Sequence, residues 1–104
     1  MKMHYYEVTL TSGYEKWTVS TVADNNEQAC LFFRTGAIKA EARHLGYAEV
    51  SIGLEGDYCF YLNEKQYENE HDYDLKIDTD HPAYGYLFKK FESDIQKMDY
   101  QFHS

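Results

Sequence analysis

Asp24-Asn25-Asn26-Glu27 is where the fold turns, because the apolar pattern has a period of two before it and a period near 3.6 after it. Read as a capping box, a short acceptor followed three residues later by Glu, it starts a helix, and loss of such a cap typically costs about 1 kcal/mol. Upstream, His4 to Leu10 alternates, with Tyr6, Val8 and Leu10 on one side and Tyr5, Glu7 and Thr9 on the other, as a half-buried strand does. Thr11-Ser12-Gly13 supplies turn chemistry, and Tyr14 to Ala23 returns with Trp17, Val19 and Thr21 on a common face, which predicts a hairpin. Downstream, Ala29, Phe32, Phe33, Gly36, Ala37 and Ala40 recur at three- and four-residue steps, and Gly46 stands where a left-handed residue commonly ends a helix. The spacing predicts a helix over 25–44.

Beyond it, Tyr47 to Leu54 alternates again, burying Ala48, Val50, Ile52 and Leu54, and Glu55-Gly56-Asp57 turns the chain into Tyr58 to Leu62, with Tyr58, Phe60 and Leu62 inward. The run Asp72 to Asp78 puts Tyr73, Leu75 and Ile77 on one side and Asp72, Asp74, Lys76 and Asp78 on the other, a fifth strand. Thr79 or Asp80 then caps a last helix, with Pro82 in its first turn, where a missing N–H costs nothing. Tyr84, Phe88, Phe91, Ile95, Met98 and Phe102 form its apolar seam. The order ββαβββα describes an α+β protein, a small antiparallel sheet with two helices on one face. A length of 104 residues with no repeat or linker suits a single domain over 1–104.

The charge is uneven. The chain holds 18 acidic and 10 basic side chains, a formal net charge of -8. Acids and bases cancel over residues 1–46 and again over 82–104, so the whole excess lies in residues 47–81, where ten acids face only Lys65 and Lys76. Such a balance disfavours direct binding to nucleic-acid phosphates or to an anionic membrane. The longest apolar runs, such as Ala29 to Phe33, are far short of the roughly 20 residues that cross a bilayer. The first residues run straight into a strand pattern with no apolar leader, and Cys30 and Cys59 make no disulfide framework; together these lead to the expectation of a cytoplasmic protein with free thiols.

Motifs for chemistry are missing. There is no Gly-x-Ser-x-Gly, no glycine-rich phosphate loop and no His-Glu-x-x-His. His71, Asp72, Asp74, Asp78, Asp80 and His81 lie close in sequence, but an EF-hand would need a Gly and a Glu at positions where this stretch has neither. Structural zinc would need more thiols than two unspaced cysteines supply. The reading is therefore no catalytic residue, no metal and no cofactor. His4, His44 and His103 read as surface or terminal residues.

A row of fixed carboxylates can imitate a phosphate backbone, and tyrosine gives rigid contact area at low entropic cost. Glu49, Glu68, Glu70, Asp72, Asp74, Asp78 and Asp80 are the candidate charges, and Tyr61 and Tyr67 the candidate contact residues. The expected function is a stoichiometric, non-enzymatic inhibitor that covers the basic groove of a nuclease or other nucleic-acid-binding protein, with steering between opposite charges speeding the encounter. In size, acidity and tyrosine content the chain resembles, as a class only, the small inhibitors that phages make against restriction or CRISPR nucleases, and the immunity proteins that block basic toxins. The alternative is a homodimeric adaptor or regulatory module that pairs through Phe88, Phe91, Ile95 and Met98 of the terminal helix.

Overall fold

A computed structural model describes residues 1–64 and 73–103, with side chains through Met98. The elements run β1 (Lys2–Ser12), β2 (Glu15–Val22), α1 (Asn26–Phe33), β3 (Lys39–Glu55), β4 (Asp57–Asn63), β5 (Leu75–Ile77), α2 (Tyr84–Lys90) and α3 (Glu92–His103). All strand pairs are antiparallel in one sheet of order β2-β1-β3-β4-β5, which leaves β2 and β5 at its edges. The α+β architecture expected from the pattern is the one found, and α1 meets α2 through the rings of Phe32 and Tyr86, 5.6 Å apart.

The first helix is shorter than its spacing predicts. It ends at Phe33, Arg34 is already extended, and residues 39–44, expected as helix, pair with β1 from Lys39↔Thr11 to His44↔Tyr6. Alanine-rich sequence is compatible with either state, and here the alternation of Ile38, Ala40 and Ala42 wins because it fills a cluster with Tyr6, Val8, Leu10, Ala23 and Ala29. The capping box also sits one residue later than expected. Asn25 is the N-cap, its Oδ1 accepting from Gln28 N at 2.8 Å, while Gln28 Oε1 accepts from Asp24 N at 2.6 Å. That frees Asp24 to accept from the Tyr86 hydroxyl at 2.5 Å and to lie 3.4 Å from Lys90 Nζ, tying the start of α1 to α2.

Gly46 ends no helix. It lies in β3 at φ 121°, where the register with β1 shifts: Tyr5 pairs with Gly46 but Tyr6 with His44, leaving Leu45 as the extra residue of a β-bulge. At that step the buried side chains of β1 change parity. Met3 and Tyr5 join one core cluster; Tyr6, Val8 and Leu10 join the other. The first cluster, with Val50, Phe60, Leu62 and Ile77 from the sheet, is closed by Leu87, Phe91 and Ile95.

Three smaller expectations change as well. Leu54 is exposed, as its place beside the Glu55-Gly56-Asp57 turn allows. The last helix starts at Tyr84 without a side-chain cap from Thr79 or Asp80; Ala83 N instead donates to His81 Nδ1 at 3.0 Å. The apolar seam runs through two helices, which meet at Phe91 and keep the bonds Phe91 N to Leu87 O and Ile95 N to Phe91 O, each 2.9 Å.

Candidate protein-binding surface

Alternation along β3, β4 and β5 separates two faces. Val50, Phe60, Leu62 and Ile77 enter the core, so Glu49, Ser51, Gly53 and Glu55 of β3, Asp57, Cys59 and Tyr61 of β4 and Lys76 of β5 turn to the other face. On it Tyr61 lies flat over Gly53. A Cβ on that glycine would stand 2.2 Å from Tyr61 Cε2 and 3.1 Å from Cys59 Sγ. Tyr61 also packs on Tyr73, with ring centres 4.9 Å apart. Hydrogen bonding to Cys59 and Glu55 raises the Tyr61 phenol well above the usual tyrosine range. Tyr73, expected inward with Leu75 and Ile77, is thus an outer-face residue, because β5 begins only at Leu75.

The expected row of carboxylates along β5 is not what the described residues form. β5 spans three residues, and Asp74 and Asp78 flank it at opposite ends. Asp74 closes the exit of β4: its N donates to Leu62 O at 2.9 Å and its Oδ2 accepts from Glu64 N. Glu49, at that same end of β3, lies 2.9 Å from the Met1 ammonium. Asp78 and Asp80 belong to the other end, where Asp78 Oδ1 accepts from Asp80 N at 3.1 Å. Continuing the register Phe60↔Ile77 brings this turn beside Asp57 and Cys59. The result is a recess of about 210 Å³ bordered by Glu55, Asp57, Asp78 and Asp80, with Tyr58, Cys59 and Thr79 in its wall and Lys76, ion-paired to Glu55, as its one base among the described residues.

Of the charges singled out in sequence, the fold therefore joins Asp78 and Asp80 and sets Glu49 and Asp74 apart from them. Tyr67, Glu68, Glu70 and Asp72 lie outside the described residues. Glu55 and Asp57 count among the ten acids of residues 47–81 but were read as turn residues and not as candidate contacts; the signal for them was the hairpin itself, since whatever pairs with the start of β4 must meet them. In the terminal seam, Phe91 and Ile95 are buried in the chain's own core, and Phe88 and Met98 are half-buried. No helix of the described residues is long and apolar enough to cross a membrane.

The class these features define is an α+β protein with a five-stranded antiparallel sheet whose outer face is acidic at one end. Comparison with known proteins finds no matching family model, no matching curated sequence and no matching solved structure.

Proposed function

We propose that the chain is a non-enzymatic binding protein that blocks a basic, nucleic-acid-binding protein by occupying its groove, in the manner of phage inhibitors of restriction or CRISPR nucleases and of immunity proteins against basic toxins. What carries this reading is the gathering of Glu55, Asp57, Asp78 and Asp80 around one recess whose one base among the described residues is Lys76. Four carboxylates from two segments, held by a hairpin and an Asx turn, meet a basic surface with little ordering cost left to overcome. Tyr61 and Tyr73 beside them supply aromatic contact area. The contact is centred on the end of the β3–β4 hairpin and the turn that follows β5 rather than along β5.

The test is affinity capture from a lysate of the source cell at roughly 0.05 M and 0.5 M salt, conditions between which exposed charges become strongly screened. The expected result is a basic nucleic-acid-binding protein retained at low salt, released at high salt and displaced from its DNA or RNA by the pure chain. Asp57→Lys with Asp80→Lys abolishes retention while leaving the circular dichroism spectrum and melting temperature unchanged. Equal retention by this double variant sinks the reading. So does a captured partner with no nucleic-acid-binding activity.

A further inference from the structure

At the opposite end of the sheet's outer face, two histidines that are 40 residues apart in sequence come together. His4 Nδ1 and His44 Nε2 are 2.9 Å apart and their rings 5.0 Å apart, and both rings lie against Tyr47, at 4.7 and 5.8 Å. Tyr6, beneath, is 5.2 Å from His44. The bulge arranges this: with Leu45 extruded, His44 pairs with Tyr6 and reaches diagonally to His4, whose own partner is Tyr47. Bulges of this kind re-aim side chains and recur beside functional sites.

We propose that His4 and His44 form a two-imidazole site for a divalent transition-metal ion of the zinc and copper class. Two imidazoles on one ion, with bonds of about 2.0–2.1 Å and a near-tetrahedral angle, hold their nitrogens about 3.3 Å apart and their ring centres about 5 Å apart. The ring centres already have that spacing. Small rotations of the half-buried His4 ring and the exposed His44 ring, opening the nitrogens by about 0.4 Å, aim both lone pairs at one point. The rings of Tyr6 and Tyr47 pack against both imidazoles and limit their rotation. Asp24 interacts favourably with His4 but is itself ion-paired to Lys90 at 3.4 Å, and the Lys2 ammonium lies over Tyr47, 5.1 Å from its ring centre, and opposes a cation. Among the described residues no group of three or more His, Cys, Asp or Glu side chains is placed to share an ion. The remaining positions are therefore left to water, which makes this an open site of moderate affinity and not a structural one. The inference is independent of the acidic recess.

The full chain is titrated with Zn(II), Cu(II), Ni(II) and, separately, Ca(II), by calorimetry in a non-coordinating buffer. One equivalent of each transition metal binds with copper tightest, as imidazole donors dictate, and Ca(II) neither binds at this site nor competes. His4→Gln and His44→Gln each weaken copper binding by about tenfold or more, while His103→Gln does not. Electron paramagnetic resonance of the copper form shows coupling to two imidazole nitrogens. Binding unchanged in both variants, a spectrum with fewer than two imidazoles, or no saturable binding by any of the three transition metals overturns the proposal; unchanged melting temperatures of the metal-free variants exclude misfolding as the cause of a loss.

Discussion

Replacing Gly53 by Ala tests the geometry of the outer face more sharply than any charge reversal. The added methyl would stand 2.2 Å from Tyr61 Cε2 and 3.0 Å from Cζ, so the Tyr61 ring has to leave its seat on Cys59 and Tyr73. Overpacking of this kind costs about 1–3 kcal/mol. Against it, Ala is favoured over Gly inside a strand by about 0.5–1 kcal/mol. The net expectation is a destabilisation of about 1–2 kcal/mol, read as a lower urea midpoint with an unchanged slope. The ring makes the severe contact, so in a Tyr61→Ala background the same Gly53→Ala change keeps only the 3.1 Å approach to Cys59 Sγ, which a small shift of the thiol relieves, and retains the backbone gain, raising stability by about 0.5 kcal/mol. The cycle thus has a coupling energy of about 1.5–3 kcal/mol. Additive effects, with Gly53→Ala equally harmful in both backgrounds, would refute the placement of Tyr61 over Gly53 and with it the tyrosine pair beside the recess.

Three further outcomes follow from particular residues. Burial holds the His81 imidazole below the usual histidine range of about 6.5, so it is neutral in both states above that pH; as pH falls below 6.5 the unfolded chain takes up the proton first and stability declines. The urea midpoint of the wild type therefore drops more between pH 7.5 and 5.5 than that of His81→Asn, and equal drops would remove the burial argument. Phe91, 5% exposed and packed 5.4 Å from Phe60, loses about 3–5 kcal/mol of stability as Ala; sedimentation that shows a folded monomer replacing a dimer, with stability unchanged, would instead mark the seam as an interface. Gly46→Ala forces a side chain into a left-handed backbone and costs about 1–3 kcal/mol in thermal or urea unfolding, whereas no measurable cost would mean that the bulge relaxes freely.

The parts of this structure legible in sequence are those whose signal is local. Alternation predicted strands in β1, β2 and β4 because Tyr6, Val8 and Leu10, then Val19 and Thr21, and then Phe60 and Leu62 alternate into buried or partly buried positions. The capping box missed by one residue because Asp24 and Asn25 are both good acceptors and Glu27 and Gln28 can each reach back; Asp24 is claimed by Tyr86, a contact 62 residues away that no local rule sees. The start of β3 was misread for the same reason. Ala37 and Ala40 satisfy a helical spacing, and only the availability of β1 as a partner decides for the strand. The candidate surface was half legible: the excess charge is where the sequence put it, but a row along β5 required a strand longer than three residues. The hairpin register, not the spacing of aspartates, selects Asp78 and Asp80 and adds Glu55 and Asp57.

The same register argument separates the acidic recess from the histidine pair. Tyr47 and Glu55 stand on one strand eight residues apart, about 27 Å at the rise of an antiparallel strand. A standard protein interface covers about 800 Å² on each partner, a disc of about 16 Å radius. A partner centred on Glu55 and Asp57 therefore stops well short of His4 and His44, and an ion bound there lies beyond a Debye length of about 8 Å at physiological salt. Metal loading should leave the salt-dependent affinity of the acidic end unchanged. A shift in that affinity on adding zinc would mean that one surface spans the whole face of the sheet, with the histidines inside the contact and not beside it.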